Sequence, residues 1–145
     1  MDIYPEKKRS EVMSKIPGRD TKPEMYIRKF LFSKGFRYRI DDNRYPGRPD
    51  IVLPKFKTAV FIHGCFWHGH PGCKASKLPE TRKEFWEKKI NDNILRDKRN
   101  IEALKNRGWN VIVIWQCEIK NNAVRQKRLE FLLTEFSTIC EHPPR

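Results

Sequence analysis

The segment Trp109–Trp115, WNVIVIW, restricts the fold more than any other. It has strand length and is apolar at every position except Asn110, so both of its faces need cover. The rest of the chain offers that cover. Residues 81–107 carry a helical pattern with Ile90, Ile94, Ile101 and Leu104 as the buried stripe. Thr81 and Glu84 have capping-box spacing, and Gly108 is a helix stop. Residues 123–139 form a second amphipathic segment with Val124, Leu129, Leu132, Leu133 and Phe136. An earlier helix opens at Thr21-Lys22-Pro23-Glu24, has Met25, Phe30, Leu31 and Phe32 as its apolar side, and stops at Gly35. Residues 6–16 read as a short basic helix ended by Pro17-Gly18. FRYRI (36–40) alternates like a half-buried strand, residues 41–50 form a loop, and IVL (51–53) and TAVFIH (58–63) make a hairpin. The order helix, three strands, helix, strand, helix predicts an α/β sandwich around a mixed sheet of about four strands.

At 145 residues the chain suits a single domain. We divide it into a basic arm at 1–19, a core at 20–120 and a C-terminal helix and tail at 121–145. Lys and Arg total 31 against 18 Asp and Glu, a net charge of +13. Such an excess favours a polyanionic partner, nucleic acid or an anionic membrane surface. No apolar run approaches the ~20 residues that span a bilayer. The N-terminus lacks the apolar centre of a signal peptide, so the expected location is cytoplasmic. In that reducing compartment four Cys are free thiols or metal ligands rather than disulfides.

Reactive side chains concentrate in FIHGCFWHGHPGCK (61–74). Cys65, His70 and Cys73, with Cys117 just past the apolar strand, are the ligand types of a closed structural zinc site. Unlinked thiols and surface histidines are the plainer alternative, and Cys140 reads as a helix-face Cys with no partner. His63 and His68 are surplus to four zinc ligands, and either has the chemistry of a general base. Asp97 falls on the helical stripe between Ile94 and Ile101, where a carboxylate needs a partner such as an imidazole. An edge position beside Arg96 or Lys98 is the alternative. Asp50, at the end of PGRPD, is either a turn residue or a Mg²⁺ ligand at a strand start. Glu24 is either a capping acid or an acid near the active centre. Phe66, Trp67 and Trp86 either cover the zinc loop or project to stack on bases.

PGRPDIVL, VFIHGCFWHGH, TRKEFWEKKI, RDKRNI and GWNVIVIWQCE, in this order from about Ser10 to Glu118, resemble the very-short-patch (Vsr) mismatch repair endonuclease family. The resemblance implies a restriction-endonuclease-like α/β core and a protein that nicks duplex DNA 5′ to the thymine of a T·G mismatch; a nick in one strand leads us to expect a monomer. Such mismatches arise when 5-methylcytosine deaminates, so a cytosine-5 methyltransferase is the implied companion. It also implies that Asp50 and the backbone carbonyl of Ile62 hold Mg²⁺. His68 would be the base, oriented by Asp97. His63 would assist at the scissile phosphate, and Glu24 would sit near metal-bound waters. Cys65, His70, Cys73 and Cys117 match structural Zn²⁺ ligands, and Phe66, Trp67 and Trp86 match aromatics that wedge beside the mismatch. The wider superfamily has an acid and a Lys on its second catalytic strand, where this chain has Phe61-Ile62-His63.

Overall fold

The structure, a computed structural model, describes residues 22–141, with backbone only at 140 and 141. The 6–16 helix, the Thr21 cap and the Cys140 side chain lie outside the described residues. Helix α1 (Lys22–Ser33) leads to the strands β1 (Arg39–Ile40), β2 (Ile51–Leu53) and β3 (Thr58–His63). Helix α2 (Lys83–Asn106), strand β4 (Asn110–Trp115) and helix α3 (Asn122–Glu141) follow. The sheet order is β1-β2-β3-β4. β1–β2 and β2–β3 are antiparallel, and β3–β4 is parallel, with α2 in the crossover. The expected α/β architecture with a four-stranded mixed sheet is therefore present.

Alternation along β4 explains the layers. Ile112 and Ile114 point into the larger core, with Ile27 and Leu31 of α1 and Leu129, Leu132 and Phe136 of α3. Val111 and Val113 point the other way, onto Ala59, Phe61 and Leu104, with Ile101 of α2 alongside. Both faces of the apolar run are thus covered. The β2–β3 hairpin turns through Pro54–Phe56, and Lys57 adopts the left-handed conformation.

Several local expectations are corrected. In α1 the buried face is Glu24, Ile27, Arg28 and Leu31, whereas Met25 and Phe32 are exposed. A pair of opposite charges occupies part of that face, which hydrophobicity alone does not reveal. Only Arg39–Ile40 of the 36–40 segment pairs, as an exposed edge strand. Phe36 leaves the sheet to pack on Phe136, ring centroids 4.8 Å apart. Thr81 does not cap α2; the N-cap is Arg82, at φ 55°, with no side-chain cap bond. Val124 of α3 is exposed.

Ile94 is also exposed, and the buried residue beside it is Asn93. Here α2 packs on the backbone of the 64–73 loop rather than on the sheet. The Asn93 amide donates to the Trp67 carbonyl at 2.9 Å, which satisfies a buried acceptor. Gly69, at φ +57°, sits so close that an added Cβ would lie 2.7 Å from Ile94 Cδ1 and 2.9 Å from Ile90 Cγ2. Gly69→Ala should therefore lower unfolding stability by about 1–3 kcal/mol, from overpacking and left-handed strain together. Urea unfolding checks this, and an unchanged midpoint would show that the loop is not wedged on α2.

Candidate active site and thiolate cluster

The hairpin register brings the first group of side chains together. Ile51 pairs with Val60, so Asp50 lies beside the last residues of β3. The Ile62 amide donates to Asp50 Oδ2 at 2.6 Å. The backbone contact of Ile62 to this carboxylate is thus made through its N–H. His63, the last residue of β3, is buried. The loop after it doubles back, with the His68 amide donating to the Gly64 carbonyl at 3.1 Å and the His70 amide to the Cys65 carbonyl at 2.9 Å. This fold of the backbone stacks the His68 ring on His63, centroids 3.9 Å apart and planes 4° from parallel.

Asp97 reaches this pair from α2. Its Oδ2 lies 2.5 Å from His68 Nδ1, while Arg96 approaches its other oxygen at 3.6 Å. The imidazole partner expected for Asp97 is therefore His68, and the surface ion pair is secondary. With Nδ1 engaged by a carboxylate, Nε2 is the ring nitrogen left to exchange a proton with a ligand. Glu24 joins from α1. Glu24, Asp50, Ile62, His63, His68 and Asp97 all line one cleft of about 390 Å³, and Arg48 and Arg96 border it.

Electrostatics differ sharply across the cleft. Burial pushes the Asp50 carboxyl up to about 6 against the pull of the Ile62 amide, and the nearby charges of Glu24 and Asp41 add to the rise. Burial, then the charge of His68, pushes His63 down to about 4, so its ring is neutral at pH 7 in the ligand-free protein. Burial opposes ionisation of Asp97, but the hydrogen bond and charge of His68 outweigh it and hold the carboxyl below its usual range.

Two residues in contact with the cleft's acids escaped the sequence reading. Asp41, just after β1, has a carboxylate oxygen within 4.8 Å of those of Glu24 and Asp50, so the three could hold a hard cation. Arg28, one turn after Glu24, donates to Glu24 Oε2 at 3.0 Å. The 24, 27, 28, 31 spacing in α1 was the available signal for Arg28. Asp41 gave none, since an Asp-Asp pair in a loop is an ordinary turn sequence.

The second cluster sits on the far side of the loop. One donor atom each from Cys65, His70, Cys73 and Cys117 lies within 4.8 Å of the others. Cys117 Sγ is 3.4 Å from His70 Nδ1, and the His70 ring stacks on Trp115 at 4.1 Å. Burial and the neighbouring thiols Cys65 and Cys73 push Cys117 up to about 12. Three sulfurs and an imidazole nitrogen at this spacing fit one tetrahedral metal ion. The donor set read from the sequence thus converges.

Phe66, Trp67 and Trp86 form a triangle of edge-to-face contacts, with centroids 5.2, 5.4 and 5.8 Å apart. Trp67 is 37% exposed, and Phe85 extends the group to a more open position. The three rings therefore pack on each other and still present a face to solvent.

Among the described residues these features define an α/β protein in which three donor groups could hold a metal ion: the thiolates with His70, the carboxylates Glu24, Asp41 and Asp50, and His63, His68 and Asp97 beside them. A family model described as DNA mismatch endonuclease Vsr matches residues 1–74. The chain is 52% identical over 135 residues to the type II nicking enzyme V.NmeAIP of Neisseria meningitidis serogroup A, covering 93% of this chain and 96% of that one. It is 40% identical over 134 residues to the DNA mismatch endonuclease Vsr of Escherichia coli K12, covering 92% and 83%. A third relative, the type II nicking enzyme V.XorIIP of Xanthomonas oryzae pv. oryzae, is 42% identical over 131 residues, 90% and 95% of the two chains. The chain belongs to the Vsr DNA mismatch endonuclease family.

Proposed function

We propose that this protein nicks one strand of duplex DNA 5′ to the thymine of a T·G mismatch, by Mg²⁺-dependent phosphodiester hydrolysis. The observation that carries the reading is the meeting of Glu24, Asp50, His63, His68 and Asp97 in one cleft. A hairpin joined to a parallel strand, with the acid at the head of β2, also agrees with a restriction-endonuclease-like core.

Asp50, with the Ile62 carbonyl, would hold Mg²⁺, whose chemistry when bound is to stabilise charge on the phosphate and leaving oxygen. His68 takes the proton of the attacking water at Nε2. Asp97 fixes the tautomer and orientation of the ring through Nδ1. His63 lies against His68 and would meet the leaving side of the phosphate, whose negative charge would raise its proton affinity. Glu24 orders water within the cleft. Zn²⁺ is the metal that suits the thiolate cluster, and it would anchor the loop that carries His68. The rings of Phe66, Trp67 and Trp86 would enter beside the mismatch, where stacking is weak and deformation costs less. Arg and Lys would track phosphates, so binding should fall steeply with salt. A cytosine-5 methyltransferase as functional companion, action as a monomer and a cytoplasmic location complete the reading. Among the described residues no helix is long and apolar enough to cross a membrane.

The test is strand-resolved nicking of duplexes that differ only at one pair. With Mg²⁺, T·G should be cut 5′ to the thymine and T·A left intact. His68→Ala should slow nicking by roughly 10²–10⁴-fold with DNA binding kept. Equal nicking of both duplexes would indicate a nuclease of other specificity. Binding without cleavage under any divalent ion would indicate a zinc-containing DNA-binding module.

A further inference from the structure

Three carboxylates from three separate elements meet at one end of the cleft. Glu24 comes from α1, Asp41 from the turn after β1 and Asp50 from the head of β2, with oxygens within 4.8 Å of one another. Like charges at that spacing repel strongly when partly desolvated. Arg28 lies against two of them. Its Nη2 is 3.0 Å from Glu24 Oε2 and 3.7 Å from Asp41 Oδ2, and the three side chains are 8%, 7% and 11% exposed. The turn of α1 that carries it is tied down, since the Tyr38 hydroxyl donates to the Arg28 carbonyl at 3.1 Å. Asp41 is held at φ 47°, and its amide donates to the Asp50 carbonyl at 3.3 Å. Asp50 Oδ2 receives the Ile62 amide instead.

We propose that Arg28 is a positioning residue that acts as a built-in counter-cation for Glu24 and Asp41. It leaves Asp50 as the carboxylate offered to a divalent ion and keeps the ion affinity of the DNA-free protein low. This rests on Asp50 being the cation-binding carboxylate. Glu24 and Asp41 together carry two negative charges, and the guanidinium reduces that pair to a net of one. A divalent ion is drawn to a site according to its total charge, so the remaining attraction must come from substrate phosphate. Ion and DNA binding then favour each other.

The experiment is Mn²⁺ titration of the full zinc-loaded chain without DNA at pH 8, followed by electron paramagnetic resonance. Arg28→Met should bind Mn²⁺ on the order of tenfold more tightly than the parent. Arg28→Lys, which keeps the charge, should stay within about threefold, and so should the charge-balanced Arg28→Met/Asp41→Asn double variant. If Arg28→Met does not fold, Asp41→Asn alone carries the test with opposite sign, as about tenfold weaker binding. Parent binding that is lost in Asp50→Asn but unchanged in Arg28→Met or Asp41→Asn would overturn this inference and leave the site reading intact. Binding indifferent to Asp50→Asn would overturn both.

Discussion

Asp50→Asn should abolish nicking yet leave the Mg²⁺-free protein more stable at neutral pH. The activity loss should be at least about 10³-fold, because the substitution removes the carboxylate that would seat the ion. The stability gain follows from the position of the group. Its carboxyl stands at about 6 in the fold against an ordinary 3.8, mainly from burial. The folded state therefore binds this proton more tightly than the unfolded chain does. Stability from that proton is fully present below pH 3.8 and is lost as the pH rises through 6. The loss is on the order of 3 kcal/mol across that window. Asn cannot ionise, and its amide oxygen can still accept the Ile62 N–H. The variant should therefore lack this part of the pH dependence and unfold at higher urea at pH 8. Parent nicking should fall as the pH drops below 6, where protons compete with the ion for Asp50. Equal urea midpoints for parent and variant from pH 4 to 8 would show that the carboxylate is not desolvated.

Removing the zinc proposed for the thiolate cluster should produce the second large effect. Few aliphatic contacts hold the loop from Gly64 to Cys73; Cys65 is its one buried residue. Besides its backbone turns, the Asn93–Trp67 bond and the close fit of Gly69 on α2, its order depends on whatever ties Cys65, His70, Cys73 and Cys117 together. Structural zinc in small domains binds with an apparent ~10–16 kcal/mol, so its loss should cost several kcal/mol of stability here. Because His68 rides on the same loop, nicking should fall by more than about 100-fold. Cys117→Ala should reproduce both losses. Metal analysis of protein purified without added zinc should give one zinc per chain. Folded, active protein with a content near zero would remove the structural role.

Legibility followed the physics of each segment. The apolar run at 109–115 specified its own cover, and β4 is sandwiched between α2 and the α1–α3 layer. The hairpin was readable because Ile51–Leu53 and Thr58–His63 flank a Pro-containing turn. Asp97 was readable because a carboxylate at a helix-stripe position needs a partner, and His68 is that partner. The thiolate cluster was readable from ligand type and from Cys117 lying at the end of a strand parallel to β3.

Other features depended on tertiary context. Ile94 looked like core, but the helix there faces loop backbone, which favours Asn93. Arg28 carried no expectation from the sequence, yet it is buried against two acids. The sequence of α1 shows the spacing of Glu24 and Arg28, but Asp41 comes from a distant loop with no periodic signal. The Ile62 amide's bond to Asp50 was not anticipated. That contact depends on β2–β3 register, which a three-residue strand does not announce.

Anomalous scattering from Mn²⁺, in crystals of the protein with a T·G duplex, bears most directly on the central claim. A peak should stand about 2.2 Å from an Asp50 carboxylate oxygen, with the scissile phosphate between it and the His68 ring. A cleft with no such peak, and manganese only at remote surface acids, would contradict the account.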